Sequence, residues 1–164
     1  MTVLGLDPGS AITGFGILEE HADHSLEVID YGVLRTGPEL LAAERLQSLY
    51  EQLNKLLVLH KPDSGAVENL YFQRNVSTAI TVGQARGVLL LALSQAHVSI
   101  AEYNPMEIKQ AVAGYGKADK QQMQQMVKML LGLKEIPRPD DAADALAVAI
   151  CHIHSRKFNQ LDQS

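Results

Sequence analysis

Four acidic residues stand where side chains can do chemistry. Asp7 closes the apolar run "TVLGLD", Glu68 closes "SGAVE", and Asp141 and Asp144 open an alanine-rich stretch that follows Pro137 and Pro139. At i and i+3 of a helix, Asp141 and Asp144 project from one face, so a single helix start presents two carboxylates toward one point. Asp7 and Glu68, as strand ends, belong where open α/β sheets place their ligands. Four converging carboxylates repel one another and resist ionisation unless positive charge sits among them. A hard divalent cation meets that need. Oxygen-only ligands select Mg²⁺ or Mn²⁺ over zinc, and two such ions about 3.5–4 Å apart activate a water while stabilising the leaving oxygen of a phosphodiester. The chemistry expected is that of a nuclease.

Each acid also has a plainer use. Asp140, Asp141 and Asp144 in a first helical turn offset the macrodipole and cap free amides. Asp7, before Pro8-Gly9, suits a turn. Glu68 is harder to place on structural grounds alone, since a charge that follows a buried "AV" needs a partner. The constellation is more specific than any member of it.

The elements that must position these residues are well punctuated. "TVLGLD", "TGFGIL" and "LEVIDYGVL" read as three strands separated by turns. Leu46, Leu49, Leu53, Leu56 and Leu57 recur at helical spacing within 40–59, before Lys61-Pro62. "SGAVE" is a short buried strand, residues 76–96 a helix, and "VSIAEY" another strand. Asn104, Pro105 and Glu107 spell a helix start with a capping box, and Gly114 ends that helix. After the loop "GYGKA" come a helix "DKQQMQQMVKMLL", stopped at Gly132, and a last helix from about Asp140 to Lys157. A run of strands followed by alternating strands and helices predicts an α/β protein, with a mixed sheet and helices on both faces.

The chain has 164 residues, 46% hydrophobic and 20% charged, which suits one compact unit over residues 1–158 with a flexible tail at 159–164. No secretory signal is expected, and the longest apolar run reads as too short to cross a bilayer, so a cytoplasmic protein is expected. Cys151 has no disulfide partner, and no Cys/His spacing suits zinc. The net charge of −5 is unevenly spread. Residues 1–68 carry 4 basic and 11 acidic side chains, residues 69–134 carry 7 and 3, and residues 135–164 carry 3 and 5. The basic middle is able to meet phosphates.

The string ENLYFQ at 68–73 matches the recognition sequence of a protease used to remove purification tags. A seam would leave a foldable domain on one side. Residues 1–67 instead supply strands and a helix that need 98–103 and the later helices to complete a core. Arg74 also follows Gln73 where a small residue is usual at such seams. The string is read as native.

With these residues laid out, the chain resembles the RuvC family of bacterial Holliday junction resolvases, in the ribonuclease H-like superfamily. "GLDPGSAITGFGIL" at 5–18, "AVENLYF", "GQARGVLL", "IKQAVAGYGKADKQQM" and "DDAADALAVAICH" carry the likeness, in order, over roughly residues 1–155. The resemblance implies a ribonuclease H-like fold with a five-stranded mixed sheet. It also implies a homodimer with one site per subunit and Mg²⁺- or Mn²⁺-dependent paired, symmetrical nicking of a four-way DNA junction. Asp7, Glu68, Asp141 and Asp144 would be the metal ligands, holding two ions. RuvA and RuvB, the branch-migration proteins, are further partners it suggests.

A junction has two equivalent scissile phosphates, and an isologous dimer presents one site to each. The helix at 76–96, with Leu89-Leu90-Leu91, is the expected dimer surface, although core packing is the expected use of most of those leucines. Tyr71 and Phe72 follow Glu68 where the family carries an aromatic that stacks on bases, one of the pair being expected exposed and the other buried, with Tyr71 the better match. Arg74 is expected at a phosphate. Lys109, Lys117 and Lys120 lie around the glycine loop, and Lys109 and Lys120 match basic residues of the family; all three are expected to contact the DNA backbone. His152 and His154 sit three turns from Asp141 and are given no catalytic role. Two rivals remain: a ribonuclease H-like nuclease for structured RNA, and a junction-binding scaffold without catalysis.

Overall fold

Alternation of apolar side chains along β1 (Thr2–Asp7) decides how the molecule is layered. In the computed structural model, which describes residues 1–69 and 75–161, with side chains through Arg156, Leu4 and Leu6 point to one side of the sheet and Val3 to the other. The sheet continues through β2 (Ile12–Glu20), β3 (Leu26–Arg35), β4 (Ser64–Glu68) and β5 (Ser99–Tyr103). Its order is β3-β2-β1-β4-β5, with β3, β2 and β1 antiparallel and β1, β4 and β5 parallel. This is the mixed five-stranded sheet expected from the sequence.

Two helices fill the crossovers between parallel strands and cover one face. These are α1 (Ala42–His60) and α2 (Val76–Gln95), whose Leu49, Leu53, Leu57, Leu89 and Leu93 pack on Leu4, Leu6, Phe15 and Ile17. The other face carries α3 (Pro105–Ala113), α4 (Lys120–Leu130) and α5 (Asp140–Leu161). Helix α5 is buried along nearly its whole length from Ala142 to Ile153. It runs past the end expected at Lys157, and residues 162–164 of the expected tail lie outside the described residues.

Glycine explains why α5 lies so close. A Cβ on Gly16 would meet the Leu146 side chain at 2.7 Å, and one on Gly5 would meet the Ala149 nitrogen at 2.7 Å. At Gly14 it would run into the carbonyl of Asp141. Gly5 and Gly16 are register partners, and Gly14 lies opposite Asp7. Three missing methyls thus form a channel across β1 and β2, and the alanines of α5 fill it from the other side.

One expectation is corrected. Helix α2 is long and apolar enough, by length and composition, to cross a membrane, contrary to the reading that no run in the chain is. Its sequence is apolar on several sides because Ala85, Leu89, Ala92 and Leu93 pack on the sheet while Val76, Ile80 and Leu91 face outward. Arg86 in its middle is ion-paired with Glu102, which suits a helix covering a sheet.

Candidate active site

The ends of β1 and β4 set two of the four carboxylates side by side. These strands pair in parallel, Leu6 opposite Val67, so Asp7 and Glu68 emerge together at the same edge. Their carboxyl groups share a hydrogen bond. The glycine channel brings the start of α5 to the same place, because the Asp141 backbone rests on Gly14, the register partner of Asp7.

Electrostatics records the convergence. Burial pushes the Asp7 carboxyl up to about 9, and repulsion from Glu68, Asp144 and Asp141 adds to the rise. Burial, then the Asp144 charge, raises Glu68, while the hydrogen bond from Asp7 and the Lys109 ammonium act the other way. Asp144 is raised by burial and by Asp141 and Asp140, with Lys120 opposing. Asp7 at neutral pH is therefore a protonated carboxyl held among anions. That is the situation a multivalent cation relieves, and the donor set, all oxygen, suits Mg²⁺ or Mn²⁺.

Two lysines reach this edge. Lys109, on α3, is near enough to Glu68 to lower its proton affinity. Lys120, the first residue of α4, lies 3.3 Å from Asp140 Oδ2 and 3.7 Å from Asp144 Oδ2. Both helices begin with reciprocal caps. Asn104 Oδ1 accepts from the Glu107 amide at 2.9 Å while Glu107 accepts from the Asn104 amide at 2.7 Å. Asp119 and Gln122 do the same for α4, at 2.8 Å in each direction. The first box was legible from the sequence, and the lysines' closeness to the carboxylates was not.

Arg86 is a residue whose role the sequence hides. Its Nη2 donates to Asn69 Oδ1 at 2.8 Å and pairs with Glu102 at 2.7 Å. The Asn69 amide in turn donates to the Tyr103 carbonyl at 2.8 Å. The chain just beyond Glu68 is thereby pinned to β5 and α2, which fixes the direction in which Glu68 leaves the sheet. "QAR" within an apolar helix offers only one hint, a lone charge that needs a partner.

Tyr71, Phe72 and Arg74 lie outside the described residues. Lys117 sits in the α3–α4 loop that follows Gly114, a left-handed helix end with φ 85°. Among the described residues, one grouping of three metal-ligating side chains has all its donor atoms within 4.8 Å: Glu19, His21 and Glu27. Glu19 is paired with Thr2, at the opposite end of β1 from Asp7, and His21 is already engaged by Glu27 at 2.9 Å. That cluster, at the other end of β1, has no part in the carboxylate site.

A family model described as Crossover junction endodeoxyribonuclease RuvC matches residues 3–152. The chain belongs to the RuvC family. Curated RuvC relatives are named Crossover junction endodeoxyribonuclease RuvC, and that of Chloroflexus aurantiacus is 56% identical over 155 residues, covering 94% of each chain. The RuvC of Caldicellulosiruptor saccharolyticus is 54% identical over 155 residues, 94% of this chain and 93% of its own. Among solved structures, Thermus thermophilus RuvC in complex with Holliday junction substrate superposes with a TM-score of 0.88 at 34% identity, over 96% of both chains. The RuvC structure of the same species without a named substrate gives 0.89 at 37%, over 97% of both. The fold is therefore ribonuclease H-like. The span matched by the family model, residues 3–152, includes the ENLYFQ string at 68–73.

Proposed function

We propose that this protein resolves four-way DNA junctions by paired, symmetrical, metal-dependent nicking during recombination and repair. The observation that carries the reading is the meeting of Asp7, Glu68, Asp141 and Asp144 at one edge of the sheet, inside a fold shared with a junction-bound relative. These four residues would hold two Mg²⁺ or Mn²⁺ ions, which when bound acidify a water and neutralise charge on the scissile phosphate.

The chain's own part is orientation and charge. Asp7, whose proton affinity is raised beside Glu68, would have to be deprotonated for all four side chains to serve as anionic ligands. The glycine channel fixes the Asp141 and Asp144 side relative to Asp7, and the Arg86 clamp fixes Glu68. Lys109, Lys117 and Lys120 would take phosphates of the incoming strands. Tyr71 or Phe72 would stack on bases at the opened crossover, and Arg74 would contact a phosphate. In-line attack leaves nicks with 5′-phosphates.

Two nicks call for two sites. The outward stripe of α2, Val76, Ile80 and Leu91 at 77%, 57% and 52% exposure, is the surface assigned to a homodimer. Gly83 and Gly87 lie between them with nothing within 4 Å of a built Cβ, so a second helix can approach closely. Leu89 is fully buried and takes no part in that surface. RuvA and RuvB are the partners expected to deliver junctions to it, and the cytoplasm is the expected compartment.

A synthetic four-way junction, a linear duplex and an RNA hairpin, each with Mg²⁺, test the reading. The junction should be nicked at opposed positions and the other two left intact. Asp7→Asn should bind the junction without nicking it. Cleavage of the hairpin in preference to the junction would favour an RNA nuclease, and tight binding with no nicking by the unaltered protein would favour a scaffold.

A further inference from the structure

Lys120 is a cation that the chain itself brings to the carboxylate cluster. Its ammonium stands between Asp140 and Asp144, at 3.3 Å and 3.7 Å. Asp144 is one of the four proposed metal ligands. Asp140 precedes it by one helical turn and also accepts from Arg138 Nη1 at 2.8 Å, so it is an anion shared by two basic side chains. The backbone of Lys120 is fixed by the Asp119–Gln122 box, whereas its side chain is 58% exposed. Lysine suits this position because it is a compact charge on a flexible stem.

A tethered ammonium and a divalent ion thus lay claim to the same carboxylate. A Mg²⁺ ion sits about 2.0–2.1 Å from its oxygen ligands. An ammonium still resting on Asp144 would then face a double positive charge a few ångströms away, and the repulsion would expel one of them.

We propose that Lys120, steadied by Asp140, competes with divalent cations for Asp144, and that metal loading swings its ammonium off Asp144 toward a substrate phosphate. This inference rests on the metal-dependent reading above. It gives Asp140 a positioning role, acting through Lys120, that neither its exposure nor its place before Asp141 suggests. A lysine that served only as a fixed DNA contact would leave metal affinity unchanged.

The test is Mn²⁺ binding to DNA-free protein by titration calorimetry. Lys120→Met should bind Mn²⁺ about two- to fivefold more tightly than the unaltered protein, the range of a partly exposed ion pair. Lys120→Arg should stay near the unaltered protein. Lys128→Met, which removes the same charge about two turns along α4, should also match it. In protein labelled with ¹⁵N at lysine, saturating Mg²⁺ should move the Lys120 Nζ resonance. Lys120→Met that binds no more tightly, or an Nζ resonance that Mg²⁺ leaves in place, overturns the proposal. If the unaltered protein and Asp7→Asn both fail to bind Mn²⁺, the metal reading falls and this inference with it. If Asp7→Asn alone loses binding while Lys120→Met matches the unaltered protein, only the competition is lost.

Discussion

Helix α5 presses two polar clusters against the same sheet, and they are built on opposite principles. About three turns along it, His152, only 5% exposed, lies 2.9 Å from the Tyr103 hydroxyl and 3.0 Å from the Ser64 hydroxyl. A neutral imidazole donates at one nitrogen and accepts at the other, and both hydroxyls can oblige it. Every group there is satisfied. At the near end Asp7, Glu68, Asp141 and Asp144 crowd like charges together and leave Asp7 holding a proton at neutral pH. The satisfied cluster ties the helix to β4 and β5. The frustrated one is where a ligand has something to gain, as strain at a working site leads one to expect.

The largest effect should come from Asp7→Asn. Nicking of a four-way junction should fall more than about a hundredfold, since loss of a ligand exceeds the 10–100-fold typical of its supporting shell. The same change should stabilise the metal-free protein by on the order of 2 kcal/mol in urea unfolding, because an amide needs no proton taken up on folding to sit among the other carboxylates. Equal stability would mean that the cluster is not frustrated.

The next largest breaks the link between helix and sheet. Gly16→Ala places a methyl 2.7 Å from Leu146 and should cost about 1–3 kcal/mol, read by chemical denaturation, with reduced nicking as Asp141 and Asp144 are displaced. His152→Leu should cost about 1–3 kcal/mol by stranding Tyr103 and Ser64, while nicking per folded molecule stays level. Ser64→Ala should cost less, about 0.5–1.5 kcal/mol.

Acidity should separate the two clusters by sign. Burial holds His152 down to about 4, so the unfolded chain binds a proton more readily, and stability is lost as pH falls from about 6.5 toward 4. Asp7 is raised to about 9, so the folded protein holds the proton more tightly, and stability is lost as pH climbs from about 4 toward 9. Metal-free unfolding curves across pH should show both slopes. Asp7→Asn should flatten the alkaline one and His152→Leu the acid one.

Much of this was legible in the residues. Strand periodicity, the Asn104 box and the apolar runs ending in Asp7 and Glu68 are local signals, and the elements fall within a few residues of where those signals put them. The contacts that complete the site are not local. Gly5, Gly14 and Gly16 look like turn or bulge residues in a strand until α5 is laid across them. His152 and Ser64 are 88 residues apart, and no spacing rule joins them. The outward stripe of α2 was hidden for another reason: with apolar residues on several sides, the sequence does not say which side meets the sheet.

The reciprocal cap beneath Lys120 leaves one residue with an immobile root and an exposed tip. A charge leashed in this way explores only a few cubic nanometres, so its local abundance stays high however dilute the protein or its buffer becomes. Dialysis can strip ions from the carboxylate edge, but it cannot wash away that one.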